Sequence, residues 1–298
     1  MASESMEKVY SVGKWIDEPG TEEGSKRYQQ TLTEMHQLVG HDWLKEVLAR
    51  SGGLRILDVC GGWGIAGVAL SKILREQGKD TELTVLDLRR DMEKSAKAFG
   101  AGEIGAEPEF IVADATRLEE LGKKFDVVLL WGMSTCHFSP WDMTRLLAGV
   151  SLNLEDHGLL LVEEADRIYT VFIQSGYQRV FSEGASEEKT VISLHSSYDP
   201  RRGMFKRLII DLLEGGKAAD EFHFWGLADA AQAIWVFFKD VDFVPRDRYR
   251  GVLIAKEPRR GVDLRAFLDS EPAILKKQMS SYLRSRSICE ADLGKLPK

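Results

Sequence analysis

Three closely spaced glycines join one apolar segment to another. Gly62, Gly64 and Gly67 come directly after the strand-like run RILDVC at residues 55–60, and a helix-like run begins at residue 65. Glycine is needed where a backbone must turn tightly and approach a bound nucleotide closely. The spacing therefore predicts a strand, a nucleotide-binding turn and a helix, which together form the first unit of an α/β fold.

Strand-like and helix-like segments alternate from this turn onwards. Because parallel strands require crossover connections, helices between strands predict a doubly wound, mostly parallel sheet. Two later segments favour an antiparallel hairpin at its edge. The predicted strands are residues 55–60, 83–88, 109–113, 125–131, 158–163, 241–244 and 249–256, and the predicted helices are 65–77, 91–99, 141–154 and 227–239.

The stretch at residues 169–225 has a different character. Residues 191–198 and 204–213 are strand-like and are separated by a turn sequence, and 219–225 follows a Gly-Gly turn. We predict an antiparallel β lid inserted after the fifth strand. The alternative is a dimer contact, since exposed hairpin edges also pair between subunits.

The predicted organisation has four parts. Residues 1–26 read as a loose polar leader, residues 28–50 have helical periodicity, and the tail at 263–286 is helical with a break near Pro272. The predicted parts are an N-terminal helical cover (1–54), a Rossmann-like catalytic domain (55–168 and 226–260), the lid (169–225) and a C-terminal helical tail (261–298).

Composition narrows the class of protein. No apolar run approaches the roughly 20 residues that span a bilayer, and the start lacks a signal-peptide pattern. Cys60, Cys136 and Cys289 are odd in number and include no CxxC pair, which favours a reducing, cytoplasmic compartment. A net charge of −7 makes nucleic acid an unlikely partner and favours a small-molecule substrate.

Acidic residues lie at or near the ends of the first three strands. Asp87 ends the second strand, where a carboxylate can accept hydrogen bonds from both hydroxyls of a ribose. A nicotinamide dehydrogenase would share this feature. Asp58, inside the first strand, suits a ligand with a positively charged amino-acid portion, and Asp114 offers a carboxylate to an adenine amine.

On these motifs the sequence resembles the class I S-adenosylmethionine-dependent methyltransferases, across residues 55–258 apart from the insertion. The resemblance rests on the glycine motif at 57–67, on Asp87 and Asp114, and on the strands at 125–132 and 157–163. It implies a seven-stranded sheet with added terminal helices, S-adenosylmethionine as cofactor and S-adenosylhomocysteine as product. The residues implied in cofactor binding are Tyr28, Asp58, Gly61, Gly62, Trp63, Gly64, Asp87, Leu88, Asp114, Ala115, Trp131, Gly132 and Met133.

Two residues are candidates for the chemistry. Methyl transfer is an in-line displacement, so a base matters only when the acceptor arrives protonated. His137, after the fourth strand, is the candidate base or substrate hydrogen-bonding group; the alternative is that it caps the next helix or fixes its loop. Glu163, after the fifth strand, is the candidate to orient an amine or cation; alternatively, Asp166 and Arg167 form an exposed pair there.

Other chemistries fit less well. Cytosine-5 methyltransferases use a cysteine nucleophile preceded by proline, whereas Thr135 precedes Cys136, which reads as a small buried thiol. No carboxylate follows the fourth strand, so we predict no metal.

The predicted function is methyl transfer to a nitrogen or oxygen of a small molecule, with a homodimer possible. Two alternatives stay open. One is a methyltransferase acting on RNA or protein, because Arg201, Arg202, Lys206 and Arg207 form a basic cluster. The other is a non-catalytic cofactor-binding scaffold.

Overall fold

A computed structural model describes residues 2–15, 17–50, 52–186 and 189–276. Within them the strands are β1 (Leu54–Val59), β2 (Thr81–Asp87), β3 (Glu109–Val112), β4 (Phe125–Leu130), β5 (Leu154–Ala165), β6 (Val180–Ala185), β7 (Thr190–Asp199), β8 (Met204–Asp211), β9 (Lys217–Phe222), β10 (Phe238–Pro245) and β11 (Arg250–Pro258). The helices are α1 (Ala2–Gly13), α2 (Glu22–Leu38), α3 (Asp42–Leu48), α4 (Ile65–Glu76), α5 (Glu93–Ile104), α6 (Pro140–Asn153), α7 (Leu227–Phe237), α8 (Leu264–Asp269) and α9 (Ala273–Lys276).

Seven strands form the main sheet in the order β10-β11-β5-β4-β1-β2-β3. The five strands β1 to β5 are parallel, whereas β11 runs antiparallel to β5 and β10 antiparallel to β11. The predicted doubly wound, mostly parallel sheet and its closing hairpin are confirmed.

Both faces of this sheet are buried, as parallel sheets require. Ile56 and Val127 face one side and join a core with Met35 of α2 and Leu70 of α4. Their neighbours along the strands, such as Leu57 and Val128, face the other side, where α6 and α7 pack. Because both faces are covered, only the ends of the strands are available to a ligand.

A separate antiparallel sheet, the lid sheet, has the order β6-β7-β8-β9. Three of its strands are predicted by the sequence. The edge strand β6 and the helical turn Ile168–Gln174 are not, because β6 (VFSEGA) has too few apolar residues to show an alternation. The lid sheet lies between β5 and α7 in the chain, as predicted.

The prediction of a loose leader at residues 1–26 is wrong, because helix α1 occupies Ala2–Gly13. Val9 of α1 packs with Val191, Ile209 and Ala218 of the lid sheet in a small third core. A helix this short is marginal alone and is stabilised by such tertiary contacts.

The single helix predicted at 28–50 is instead two helices. Helix α2 starts six residues earlier than predicted, where the Thr21 hydroxyl accepts a hydrogen bond from the Gly24 backbone N–H at 3.0 Å. Gly40 and His41 then separate α2 from α3, and the His41 side chain caps the second helix.

The C-terminal region is described as far as residue 276. Helices α8 and α9 flank the predicted break at Pro272. The rest of the predicted helical tail, residues 277–298 with Cys289, lies outside the described residues. Among the described helices, none has the length and apolar character required to cross a membrane.

Candidate active site

A cavity of about 770 Å³ lies where the carboxyl ends of β1, β2, β3 and β4 meet the lid sheet and α1. The strand ends supply one wall, with Asp58, Asp87 and Asp114. Helix α1 and the lid sheet supply the opposite wall, with Tyr10 and Asp220. In parallel sheets this edge is where ligands bind.

Asp58 is the most deeply buried charged residue of the cavity, with an exposed fraction of 0%. Its Oδ2 accepts a hydrogen bond from the Gly67 backbone N–H at 2.8 Å, whereas its Oδ1 is buried without a partner among the described residues. Burial raises the pKa of Asp58 to about 7. A buried acceptor without a partner at a cavity wall is suited to a cationic ligand group.

The glycine turn is shaped by close packing and left-handed backbone. Gly62 and Gly64 have φ angles of 53° and 74°. A Cβ on Gly61 would lie 2.7 Å from Cγ of Asp58, and one on Gly67 would lie 2.6 Å from Cδ1 of Leu83. Gly61, Gly62 and the neighbouring Trp63 line the cavity. Gly64 does not line it, because it lies behind the turn facing Val85 and begins α4.

Asp87 ends β2 and faces the cavity together with Leu88. Its two carboxylate oxygens accept backbone hydrogen bonds from Gly62 and Arg89, both at 2.9 Å. Burial raises the pKa of Asp87, and these two hydrogen bonds oppose the rise. Because each carboxylate oxygen has a second acceptor site, Asp87 can still bind two hydroxyls.

Asp114 lines the cavity beyond the end of β3, and Oδ1 of Asp114 accepts hydrogen bonds from the backbone N–H and the hydroxyl of Thr116, both at 2.8 Å. Ala115, which the resemblance also implies in cofactor binding, does not line the cavity. It is buried in the core with Leu118 and α6, because the chain turns inward at that point.

Tyr28, which the resemblance implies in cofactor binding, does not line the cavity. Its hydroxyl donates to Glu103 at 2.9 Å, and its ring packs edge-on against Phe99 with centroids 4.9 Å apart. The preceding residue, Arg27, points to the cavity and pairs with Asp17. Because adjacent residues of a helix project in different directions, Arg27 and Tyr28 lie on different faces of α2.

Tyr10 of α1 covers the cavity instead. The guanidinium of Arg89 lies 4.7 Å from the centre of its ring. Burial, with repulsion from Cys136 and Asp87, raises the pKa of Tyr10 and keeps the phenol neutral. The sequence signal was present, because Met6, Val9, Tyr10 and Gly13 follow the helical spacing of three and four residues.

Beyond β4, Trp131 and Gly132 line the cavity, but Met133 does not. Met133 has a left-handed φ of 62°, and its carbonyl accepts a hydrogen bond from Arg167 at 2.7 Å. Met133 therefore shapes the loop that follows β4, and its neighbours Gly132 and Ser134 line the cavity.

Glu163, a predicted catalytic residue, also lies outside the cavity lining. Its Oε2 accepts a hydrogen bond from the Gly132 backbone N–H at 2.7 Å, and its Oε1 pairs with Arg246 at 2.8 Å. Arg246 in turn pairs with Glu34 of α2. Both carboxylate oxygens are therefore engaged behind the wall, where Glu163 supports Gly132.

Arg167 is buried rather than part of an exposed pair with Asp166. Its guanidinium contacts Oε1 of Glu164 at 2.6 Å and the Thr135 hydroxyl at 2.8 Å. In the sequence, Glu164 and Arg167 are only two opposite charges three residues apart, and nothing indicates that they are buried together. The contacts join the start of the lid to the loop that carries His137.

His137 lies in the short 3₁₀ helix Ser134–His137 and lines the cavity. Its Nδ1 is 3.4 Å from Oδ2 of Asp220 on β9. Its ring centre is 6.4 Å from that of Tyr10 and 5.6 Å from that of Phe222. His137 therefore meets groups from α1 and from the lid sheet, neither of which is near it in sequence.

The sequence of residues 56–158 matches the family model described as a methyltransferase domain. Residues 56–158 form a methyltransferase domain. The predicted methyltransferase family is thus confirmed for this domain. No curated protein matches the sequence.

Solved structures share the fold of this methyltransferase. The PH0226 protein of Pyrococcus horikoshii is 19% identical, with a TM-score of 0.56 over 85% of this chain and 99% of that one. An S-adenosylmethionine-dependent methyltransferase from Clostridium acetobutylicum is 15% identical, with a TM-score of 0.57 over 77% and 92% of the two chains. The CcbJ methyltransferase of Streptomyces caelestis is 12% identical, with a TM-score of 0.54 over 72% and 86%.

The cavity of the methyltransferase fits S-adenosylmethionine, the cofactor of this class. The unpartnered Oδ1 of Asp58 suits an ammonium group, and Asp87 suits a ribose. Gly61 and Gly62 have no side chains that would fill the space beside Asp58 and Asp87. The residues required to hold the amino-acid and ribose portions are therefore present.

Proposed function

We propose that this methyltransferase transfers a methyl group to a nitrogen or oxygen of a small molecule. The observation that carries the proposal is the continuity of the cavity. One space of about 770 Å³ extends from Asp58 and Asp87 to His137 and Asp220, beneath α1 and the lid sheet. This volume is within the range of small-ligand sites and is walled on both sides.

The residues of the cavity would divide the work. When bound, S-adenosylmethionine supplies an electrophilic methyl group, and its loss leaves S-adenosylhomocysteine. Asp58 would hold the amino-acid end, Asp87 the ribose, and Tyr10, beside His137, would exclude water from the site of transfer. Fixing the reacting groups in line accounts for most of the rate in a displacement of this kind.

His137 would accept the proton of the acceptor. The acceptor would lose this proton as it takes the methyl group that the bound cofactor supplies. The acceptor proton passes to Nε2 of His137, because Nδ1 faces Asp220. The role requires the neutral imidazole, so transfer is expected to increase as pH rises through the pKa of His137.

The basic cluster at residues 201–207 gives little support to a nucleic-acid substrate. Arg202 pairs with Glu221 at 2.5 Å, and Arg201 pairs with Asp199 at 3.1 Å. Arg207 is buried, and its guanidinium donates to Ser193. Internal pairing of these charges leaves less of them for a phosphate backbone.

Two further proposals concern the cellular location of the enzyme and its assembly. We propose a cytoplasmic location from the cysteine pattern. We also propose that a second copy would pair along β6, the edge strand of the lid sheet that exposes Val180.

Transfer of labelled methyl into extract of the source cells tests the proposal directly. Product is separated into metabolite, RNA and protein fractions, and calorimetry measures cofactor binding in parallel. Label in metabolites supports the proposal, whereas label in RNA or protein overturns the substrate class. Saturable binding without transfer favours the scaffold alternative. Asp87→Ala serves as the variant with weakened cofactor binding, and Glu82→Ala, at an exposed position of the same strand, serves as its matched control.

A further inference from the structure

His137 and Asp220 approach each other from distant parts of the chain. His137 follows β4 of the main sheet, and Asp220 is on β9 of the lid sheet. Their side chains are exposed by only 19% and 13%. Both residues line the cavity, so the pair lies at the junction of the lid and the catalytic domain.

The two facing atoms have no alternative partner. Nδ1 of His137 and Oδ2 of Asp220 are both buried without a conventional hydrogen bond among the described residues, and they lie 3.4 Å apart. The other oxygen of Asp220 accepts the Glu221 backbone N–H at 2.8 Å, which fixes the carboxylate. A small movement would convert the contact into a charge-assisted hydrogen bond.

We infer that Asp220 is a positioning residue of the lid, which holds a proton on Nδ1 of His137 and turns Nε2 towards the methyl acceptor. The inference rests on the proposed function for the role of His137 as the base. It adds that the base is completed by a residue of the lid. Asp220 itself acts through His137.

The surroundings of His137 support a carboxylate in this role. The titratable groups that face it are Tyr10 of α1, Asp220 of β9 and the adjacent Cys136, and the apolar ring of Phe222 packs beside it. Burial lowers the pKa of His137, but Cys136 and Asp220 outweigh burial and hold it well above the usual value.

The pKa values of Cys136 and His137 affect each other. Burial raises the pKa of the Cys136 thiol, but the charge and hydrogen bond of His137 outweigh it and leave that pKa below its usual value. Arg167 contributes in the same direction. A variant of Asp220 therefore has to be compared with a variant of Cys136 to assign the effect.

The test measures His137 directly, in full-length protein with ¹⁵N-labelled histidine. The His137→Gln variant identifies the His137 signals among those of the six histidines. We expect Asp220→Asn to lower the pKa of His137 by about 1 unit or more, since an opposite charge this close shifts a pKa by that amount. We also expect the neutral ring of the unaltered protein to carry its proton on Nδ1.

Two further variants separate the carboxylate from general damage. Asp220→Glu retains the charge and is expected to keep the pKa of His137 closer to that of the unaltered protein. Glu214→Gln removes an exposed acid from the turn before β9 and is expected to change nothing at His137. Cys136→Ser measures the share of the thiol.

Equal pKa values of His137 in the unaltered protein and in Asp220→Asn would overturn the inference, as would a neutral ring protonated on Nε2. Neither result depends on detecting methyl transfer, so failure of the proposed function is seen separately. Where transfer is measured, the acidic limb of the kcat profile is expected to move to lower pH in Asp220→Asn. The maximal kcat is expected to fall about 10-fold, and the same change in a His137→Gln background is expected to have no effect.

Discussion

The two halves of the cavity are built in different ways. The cofactor half comes from residues 58–114, in which the three acidic residues that line the cavity, Asp58, Asp87 and Asp114, each lie at or near the end of a parallel strand. The acceptor half is assembled from Tyr10, His137 and Asp220, which belong to three distant segments. The first half is fixed by the local geometry of the sheet, and the second by long-range packing.

This difference predicts a division of function. Changes in the cofactor half are expected to alter cofactor affinity, whereas changes in the acceptor half are expected to alter the rate of transfer. A variant that altered both equally would show that the halves are not separate. The following experiments are arranged from the largest expected effect to the smallest.

The largest effect is expected for His137→Gln. Loss of a general base should lower kcat about 100-fold or more, with cofactor affinity nearly unchanged. Steady-state kinetics and calorimetry measure the two quantities. His157→Gln, at an exposed histidine of β5, is the matched control. A kcat close to that of the unaltered enzyme would remove His137 from the proposed mechanism.

On the cofactor side, Asp87→Ala should weaken binding by about 1–3 kcal/mol, because the ribose loses hydrogen bonds to a charged group. Calorimetric titration of the variant measures the change, with Glu82→Ala as the control on the same strand. Unchanged affinity would show that the end of β2 does not contact the cofactor.

A smaller effect concerns pH. Burial raises the pKa of Asp58 to about 7, and only the ionised carboxylate attracts the cofactor ammonium. Cofactor affinity is therefore expected to fall as pH decreases through 7, by roughly 5- to 10-fold between pH 7.5 and 6, while the ammonium stays largely protonated. Asp58→Asn should abolish this dependence. A dependence that persisted in the variant would assign it to another group.

The same raised pKa has an opposite consequence for stability. Because the folded-state pKa of Asp58 exceeds its unfolded value, the residue favours folding less as pH rises towards 7. Asp58→Asn is thus expected to raise the free energy of unfolding at pH 8, by roughly 1–3 kcal/mol. Denaturant unfolding at pH 5 and pH 8 measures the difference. A loss of stability at pH 8 would contradict it.

The smallest effect on activity is expected for Glu163→Gln. Since Glu163 links Gly132 to Arg246 behind the cavity wall, its replacement should lower stability by about 1–2 kcal/mol. The kcat should remain within about threefold of the unaltered value, because only the support of the wall changes. Glu155→Gln, at a more exposed acid of the same strand, is the control. A large loss of kcat without a loss of stability would restore Glu163 as a catalytic candidate.

The extent to which the sequence predicted the site follows the same division. The sequence predicts Asp58, Gly62, Asp87 and Asp114, which line the cavity, because strand ends and glycine spacing are local signals. Tyr28 was chosen in place of Tyr10 because the position of a terminal helix depends on its partners in the lid. Asp220 carries no local signal, since only the folded lid brings it to His137.

The helices show the same limit. A glycine turn predicts the start of α4. The helical spacing in α1 is a weaker signal, because a polar segment of this length becomes helical only through its contacts with β8 and β9. Ala115 and Met133 were placed in the site by position along the chain, although the backbone turns each away from the cavity. The direction in which a side chain points after the end of a strand depends on the tertiary packing of the loop, which the local sequence does not show.

The lid begins and ends at the same point of the structure. The backbone N–H of Arg167 donates to the carbonyl of Trp225 at 2.9 Å, so the chain leaves and rejoins the catalytic domain across a single hydrogen bond. A segment with adjoining ends can vary in length and sequence without separating β5 from α7. Evolution can therefore exchange the lid as one unit without altering the strands that carry Asp58 and Asp87.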